Sequence, residues 1–419
     1  VEHDVADTVE DTVAGNVEQT LEADVEEGVQ GAVETTVETA VEAQVAVAVE
    51  ERLDTEIDDI LDDVESNLEG DEERIHREQW LVMAEPEVFE ELAEEGYLFD
   101  TVTELPALGM RLAEVAGPSS FDITAVRRGV LDVVGKDRAE VDLNHIYTAG
   151  SELAVLEQGR APRAVMDMPL RSGGARIGMI DSKVDTSHPV LAGSRIQSRE
   201  FVSAGADMPD FHGTAIASII AGHGADYKGL APEAEVFAAG VFELDAEQGE
   251  IASTVSLLKA LDWLISSEVD VDNISLAGPP NRLLEAALRR AAESEVVVLA
   301  AAGNGGPVAR PMYPAAYESV VAVTAVDDSN RVFRLANRGN YLDIAAPGVG
   351  LLHARAGGGF AASSGTSFAV PFAATAAASL ISERGRSDVM TLLYAAAEDL
   401  GPPGRDDIYG YGLLRLQGG

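Results

Sequence analysis

Continuous apolar runs in the last two thirds of the chain constrain its fold more than any other feature. Five runs have the length and composition of strands buried on both faces: Ala175–Ile180, Glu235–Val241, Val271–Leu276, Val296–Ala302 and Val320–Val326. Stretches with helical periodicity separate them, such as Thr214–Ala221, Ser253–Ser266 and Arg282–Ser294. This alternation predicts a doubly wound α/β fold, with a mostly parallel sheet, helices on both faces and ligands at the carboxyl ends of the strands.

Residues 76–150 predict a smaller α+β domain ahead of that fold. The pattern gives strands and helices in the order β-α-β-β-α-β within about 70 residues, which is the split βαβ or ferredoxin-like arrangement. The predicted elements are Gln79–Ala84, Pro86–Glu95, Tyr97–Thr103, Met110–Val115, Asp122–Val134 and Glu140–Tyr147.

Residues 1–75 form an acidic, low-complexity segment in which valine or another aliphatic residue recurs every fourth position, often followed by glutamate. A period of four drifts about 40° per repeat around an α-helix, so the apolar stripe would wind around the helix instead of forming one flat face. Two interpretations remain open. One is a solvated tail, helical or disordered; the other is a stalk that assembles or docks onto a protein partner.

The charge of the chain limits its partners. The formal net charge is −44 at pH 7, and the segment 1–70 alone holds 23 acidic residues and one basic residue. Such an acidic surface repels nucleic acid and anionic membranes. A high-salt habitat is a second explanation for an acidic surface. The sequence has no cysteine and no apolar stretch of the roughly 18 residues that a membrane span needs. The chain starts at Val1 without a visible signal peptide, so we expect that one has been removed upstream.

Four segments carry residue types that acyl-transfer chemistry needs. Ser367 stands behind Gly-Thr at the start of an Ala-rich helix, where backbone N–H groups favour negative charge. His212 begins another apolar helix and suits a general base near neutral pH. Asp181 ends a buried strand and could fix the tautomer of a histidine, with Asp185 as the competing acid. Asn304 follows a buried strand in a glycine-rich loop and offers an amide to an oxyanion. Taken singly, each has an ordinary structural alternative as a cap, core or turn residue.

The order of these segments resembles the subtilase (subtilisin-like, peptidase S8) family of serine proteases over roughly residues 165–415. The matching segments are Ile180–Asp181 with His188–Pro189, His212–Gly222, Gly229–Pro232, Asn273–Pro279, Ala301–Asn304, Ala345–Gly348 and Gly365–Pro371. The resemblance implies a catalytic triad in which Ser367 attacks the scissile carbonyl, His212 transfers the proton and Asp181 orients His212. It also implies an oxyanion hole formed by Asn304 and the backbone N–H of Ser367.

The resemblance further implies two walls of a substrate cleft. One wall is an edge strand that pairs with extended substrate, and the other borders the S1 pocket. The first comprises Ser275, Leu276, Ala277 and Gly278, and the second comprises Ala301, Ala302 and Gly303. Ala277 replaces a glycine that is usual in the family, so we expect a P1 preference for medium over aromatic side chains. The acidic stretch 243–250 near the substrate strand either favours basic residues upstream of the cut or is a solvated surface. No cofactor is expected for catalysis; structural calcium is common in the family, but its ligands are not assigned here.

Family members often carry a propeptide of the inhibitor-I9 type with the β-α-β-β-α-β order. The resemblance therefore divides the chain into an acidic repeat segment (1–75), a propeptide-like domain (76–150) and a catalytic domain (151–419). It implies a secreted, periplasmic or cell-envelope endopeptidase that acts on proteins or peptides and is made as a self-inhibited proprotein, with autoprocessing between about 147 and 165. The rival hypothesis is an interaction protein in which the propeptide-like domain stays bound and the repeat segment docks to a partner.

Overall fold

The computed structural model describes residues 75–116, 123–135, 138–149, 153–156, 159–166 and 174–415. These residues fall in one compact unit. The predicted repeat segment lies outside the described residues, except that its last residue, Ile75, begins the first strand.

The first described region is a four-stranded antiparallel sheet in the order β2-β3-β1-β4. Its elements are β1 (Ile75–Ala84), α1 (Pro86–Glu94), β2 (Leu98–Leu105), β3 (Met110–Ala116), α2 (Ile123–Val134) and β4 (Ala139–Ala149). Their order is the predicted β-α-β-β-α-β. Strand β4 runs two residues past the predicted end at Tyr147, because its last residues pair with strands from later in the chain, which extend this sheet to seven strands.

Both faces of this sheet are buried. Trp80 and Val82 on β1 pack with α1 and α2 in a local core, whereas Leu81 and Met83 join the large core of the following region. Adjacent residues on a strand point to opposite faces, so β1 contributes to both cores. The sheet is therefore sandwiched between its own helices and the rest of the protein.

The remaining elements follow in chain order. The first group is β5 (Leu153–Leu156), α3 (Pro162–Val165), β6 (Arg176–Asp181), β7 (Arg195–Glu200), α4 (Phe211–Ala221), β8 (Glu235–Gly240), β9 (Glu243–Asp245), β10 (Gly249–Ser253), α5 (Thr254–Ser266), β11 (Val271–Ile274) and β12 (Leu276–Ala277). The second group is α6 (Arg282–Glu293), β13 (Val297–Ala301), β14 (Val321–Val326), β15 (Ile344–Pro347), β16 (Leu351–Ala354), β17 (Phe360–Ser364), α7 (Thr366–Arg384), α8 (Val389–Ala395), β18 (Ala397–Glu398) and β19 (Leu413–Leu414).

Nine of these strands form one sheet in the order β18-β19-β15-β14-β13-β11-β6-β8-β7, parallel except for the β18–β19 pair. The predicted apolar runs supply β6, β8, β11, β13 and β14. The run predicted at Val271–Leu276 divides at Ser275, so that β11 stays in this sheet while β12 pairs with β4. A smaller antiparallel sheet joins β16, β17 and β5.

Helix α7 organises the centre of the molecule. Most of its residues are buried around the whole circumference, as expected for a helix inside a large core. It packs against β11, β13, β14 and β15 on the sheet and against α4. The predicted fold class is confirmed: a mostly parallel sheet with packed helices, preceded by an antiparallel α+β region. The domain division at residue 150 stays a prediction.

Candidate active site

Asp181 and His212 form a buried pair at the carboxyl end of β6. Asp181 is the last residue of β6, and His212 lies in the first turn of α4. His212 Nδ1 lies 2.7 Å from Asp181 Oδ1 and 2.9 Å from Oδ2. An ionised carboxylate only accepts hydrogen bonds, so the proton of a neutral His212 is on Nδ1 and Nε2 carries the lone pair. The pair can therefore act as an oriented general base.

The loop after Asp181 holds this pair in place. The backbone N–H of Ser182 donates to Asp181 Oδ1 at 2.7 Å, and Ser182 Oγ accepts from the backbone N–H of Gly213 at 2.7 Å. A side chain at Gly213 would collide with the backbone oxygen of Ser182. Ser182 thus ties the end of β6 to the start of α4.

Ser367 lies in the first turn of α7, and its side chain is 1% exposed. Its Oγ is buried and forms no hydrogen bond with a described residue. The His212–Ser367 hydrogen bond of a working triad is therefore not formed in this structure; such bonds are often long without substrate and tighten when it binds. The next residue, Phe368, places its ring centroid 5.4 Å from that of His212. The structure thus brings all three predicted triad residues to one place.

Asn304 reaches the same place from the loop after β13. Its Oδ1 accepts from the backbone N–H of Thr366 at 3.0 Å and from Thr366 Oγ1 at 2.9 Å, which directs Nδ2 away from Thr366. A Cβ built on Gly365 would lie 3.1 Å from Asn304 Nδ2 and 3.4 Å from Ser367 Oγ. Glycine at 365 therefore keeps open a small space between the amide donor and the hydroxyl.

One predicted wall of the cleft is occupied by the chain itself. Leu276 and Ala277 of β12 pair antiparallel with Ala149 and Thr148 of β4. At Gly278, an added Cβ would collide with the ring of Tyr147, so glycine is what lets this fully buried side chain pack there.

Ser275 connects that wall to the nucleophile. Its Oγ donates to the backbone oxygen of Ser367 at 3.3 Å and accepts from Asn273 Nδ2 at 2.8 Å. Ser275 is therefore in direct contact with Ser367.

The other predicted wall lies at the end of β13. Ala301, Ala302 and Gly303 are all buried. The backbone N–H of Gly303 donates to Thr366 Oγ1 at 3.2 Å. Tyr341 OH donates to the backbone oxygen of Ala302 at 3.0 Å. These contacts place the wall beside the start of α7; its part in an S1 pocket stays a prediction, as does the P1 preference.

Two features of the site escaped the sequence analysis. The first is strand β5, which pairs antiparallel with β17: Ala362 lies opposite Leu156, and Ser364 lies opposite Leu153. Strand β17 ends two residues before α7 begins. The chain therefore approaches Ser367 along β12 and leaves it along β17. The four residues of β5 are all apolar, but so short an apolar run does not by itself distinguish a strand from a helical turn.

The second feature is His353 behind the site. It is fully buried, and its ring stacks on Phe368 at a centroid distance of 5.4 Å and an angle of 17°. Its Nε2 lies 2.9 Å from Ser363 Oγ, and its Nδ1 lies 2.9 Å from the backbone oxygen of Ala354. Burial lowers the pKa of His353 to about 4, so the ring is neutral at neutral pH. A single histidine between apolar residues had no pattern that would mark it.

The described ranges also bear on metal binding and membrane insertion. There, no group of three or more histidine, aspartate or glutamate side chains could hold a metal ion, so we assign no residue to structural calcium. The helices of that same part of the chain are too short or too polar to cross a membrane.

Comparison with known proteins agrees with this geometry. The model of the subtilase family matches residues 172–412, which is more than half of the chain. The chain is 34% identical over 251 residues to the minor extracellular protease Epr of Bacillus subtilis, covering 58% of this chain but only 38% of that protein. It is 32% identical over 274 residues to subtilisin E of the same species, covering 62% of this chain and 69% of subtilisin E. Fervidolysin from Fervidobacterium pennivorans, a keratinolytic enzyme related to subtilisin, has the same fold: the TM-score is 0.66 at 19% identity, over 80% of this chain and 60% of that structure.

Proposed function

Because the chain belongs to the subtilase family and is a subtilisin-like serine endopeptidase, we propose that it cleaves peptide bonds through an acyl-enzyme formed on Ser367 and is made as a self-inhibited proprotein. The observation that carries the catalytic part is the buried contact of 2.7 Å between His212 Nδ1 and Asp181 Oδ1, next to a serine at a helix N-terminus. Asp185, the competing acid, instead accepts hydrogen bonds from Ser187 and from the backbone N–H of Gly357.

The proposed reaction has two stages. Ser367 Oγ attacks the scissile carbonyl carbon while His212 Nε2 takes the hydroxyl proton, and Asp181 stabilises the imidazolium that forms. Asn304 Nδ2 and the backbone N–H of Ser367 donate to the oxyanion. The C–N bond then breaks as His212 gives its proton to the leaving amine. Water then attacks the acyl carbon while His212 takes its proton. The ester C–O bond breaks, and His212 returns that proton to Ser367 Oγ as the carboxylic acid leaves.

Support for self-inhibition comes from β4. Its last residues lie between β10 and β12, the position that an extended substrate would take by adding a strand. Polar contacts hold this strand: Asn281 Nδ2 donates to the backbone oxygen of Leu143 at 2.9 Å, and Thr254 Oγ1 accepts from the backbone N–H of His145 at 3.1 Å. We infer that residues 76–149 act as an intramolecular inhibitor.

The same register narrows the proposed autoprocessing site. Strand β4 ends at Ala149 on one side of Ser367, and β5 begins at Leu153 on the other side. The cut is therefore proposed between residues 149 and 153, inside the interval from about 147 to 165 that the sequence predicts.

The proposed substrates are proteins or peptides, and the proposed location is outside the cytoplasm, in the secreted, periplasmic or cell-envelope space. Support for the location comes from a relative that is named an extracellular protease. A protein partner for residues 1–75 remains a hypothesis.

A fluorophosphonate serine probe tests the proposed function. We expect the wild-type chain to be labelled strongly only after a cut between residues 149 and 153, seen by intact mass, because β4 blocks the cleft before it. Ser367→Ala should abolish labelling, whereas Ser379→Ala, a change of another buried serine on α7, should not. An uncut chain that never labels would refute the proposal and favour the interaction-protein hypothesis.

A further inference from the structure

Strand β10 forms the second border of the cleft, opposite β12. It pairs antiparallel with β4: Ile251 lies opposite Thr148, and Ala252 lies opposite Tyr147. Continuing this register by one residue places Glu250 opposite Ala149, which on its other side pairs with Leu276. Glu250 on β10 and Leu276 on β12 therefore border the same position of the substrate strand from opposite sides.

The position opposite Glu250 is close to the scissile bond. Ala149 pairs with Leu276, so the next residue of a bound strand would lie beside Ser275, whose Oγ donates to the backbone oxygen of Ser367. That next residue would present its carbonyl to the nucleophile. A substrate residue in the place of Ala149 is therefore the second residue before the cut.

The side chains of Glu250 and Ala149 also lie on the same face of the sheet. Directly opposed residues of an antiparallel pair have their side chains on the same face of the sheet, and this direction alternates along a strand. Ala252 and Tyr147 are fully buried and share one face. Glu250 and Ala149, two residues further along their strands, lie on that same face.

The carboxylate of Glu250 is close enough to the catalytic residues to feel their charges. Desolvation raises its pKa; the charge of His212 lowers it, and those of Asp181 and Asp210 raise it. The side chain nevertheless stays exposed. Among the described residues no lysine or arginine forms an ion pair with it. The methyl group of Ala149 gives it no counter-charge either.

We propose that Glu250 is a specificity-determining residue, which selects substrates with lysine or arginine at the second residue before the scissile bond. This inference rests on the proposed endopeptidase function. A cationic side chain on the shared face would approach the carboxylate at the edge of the cleft and gain a charge pair that an uncharged residue of similar length cannot form. Ala149 of β4 cannot form this charge pair, as expected for a segment that is released after cleavage.

The test compares two fluorogenic peptides that differ only at that residue, lysine against methionine, with the cut position verified by mass spectrometry. The enzymes are the cleaved forms of the wild-type chain, of Glu250→Gln and of Glu247→Gln, the last being a matched change in the turn before β10. At about pH 8, we expect the wild type to favour lysine about fivefold in kcat/KM. Glu250→Gln should reduce this ratio to within about twofold, and Glu247→Gln should keep it.

Equal ratios in the wild type and in Glu250→Gln would overturn the proposal. So would loss of the ratio in Glu247→Gln as well, because the preference would then come from the acidic surface as a whole. Cleavage of neither peptide, together with a failure to label with the serine probe, would refute the proposed function itself.

Discussion

Two buried aspartates on neighbouring strands show how strongly the partner of a carboxyl group decides its role. Asp181 ends β6 and contacts His212. Asp272 lies within β11, opposite Gly178, and both of its carboxyl oxygens are buried without a hydrogen-bond partner among the described residues. A Cβ built on Gly178 would lie 3.2 Å from Asp272 Oδ1, so the glycine makes room for the carboxyl group. Burial raises the pKa of Asp272 to about 8, and the group is therefore protonated in the folded protein near neutral pH.

Replacing Asp272 with asparagine should change how stability depends on pH. In the unfolded chain the carboxyl group loses its proton near pH 4, whereas in the folded protein it keeps it up to about pH 8. This residue therefore lowers the free energy of unfolding as pH rises through that window, by up to about 1.4 kcal/mol per unit. We expect the stability of Asp272→Asn relative to the parent to increase with pH between about 4 and 8. Urea unfolding in a Ser367→Ala background, which prevents self-digestion, measures this difference, and an offset independent of pH would contradict it.

At the scale of elements, helices α5 and α6 bind the turn between β2 and β3 of the N-terminal sheet. Asp262 on α5 accepts hydrogen bonds from the backbone N–H groups of Ala107 at 2.8 Å and Leu108 at 3.0 Å, in the turn between β2 and β3. Arg290 on α6 donates to the backbone oxygen of Leu108 at 3.0 Å. The same turn inserts Leu108 into the large core. One turn is thus held by both helices.

Asp262→Ala should loosen the hold on the N-terminal region after the proposed cut. Hydrogen bonds to a charged group contribute about 1.5–3 kcal/mol each, so the loss of two should raise the release rate at least about tenfold. Asp262→Asn keeps an acceptor oxygen and should give an intermediate rate. The delay between cleavage and full labelling by the serine probe measures release. Glu268→Gln, an exposed change just after the same helix, is the control, and an unchanged delay in Asp262→Ala would contradict the role assigned to this contact.

The elements also show what the sequence could and could not predict. Apolar runs and helix signals predicted the parallel sheet and the β-α-β-β-α-β order, because periodicity reflects burial directly. The triad and Asn304 came from short motifs whose residues meet at strand ends and helix starts. Side-chain patterns did not predict the pairing of β4 with β10 or of β5 with β17, because it joins segments distant along the chain through backbone hydrogen bonds. Asp272 carried no motif either: it stands in the segment Val271–Leu276, where nothing in the sequence marks the environment of a single carboxyl group.

On the scale of the whole molecule, apolar packing holds together two regions of like charge. Residues 71–150 carry 18 acidic and 7 basic residues, and residues 151–419 carry 32 acidic and 21 basic residues, so each region has a net charge of −11. Opposing this, Leu81, Met83 and Tyr147 from the N-terminal region are buried in the core of the catalytic body. Burial of each such side chain contributes roughly 1.5–3 kcal/mol. The interface therefore combines short-range attraction with long-range repulsion.

Salt should consequently strengthen the association of the two regions after the proposed cut. Raising ionic strength from about 0.1 M to about 1 M shortens the screening length from roughly 10 Å to 3 Å, which suppresses repulsion between the net charges but leaves apolar contacts in place. The opposing effect is small, because the exposed pair of Arg289 and Glu140, 3.8 Å apart, contributes at most about 1 kcal/mol. We expect release of the N-terminal region, followed by probe labelling after cleavage, to be several-fold slower in 1 M than in 0.1 M sodium chloride. Faster release at high salt would mean that local ion pairs, and not net repulsion, dominate the interface.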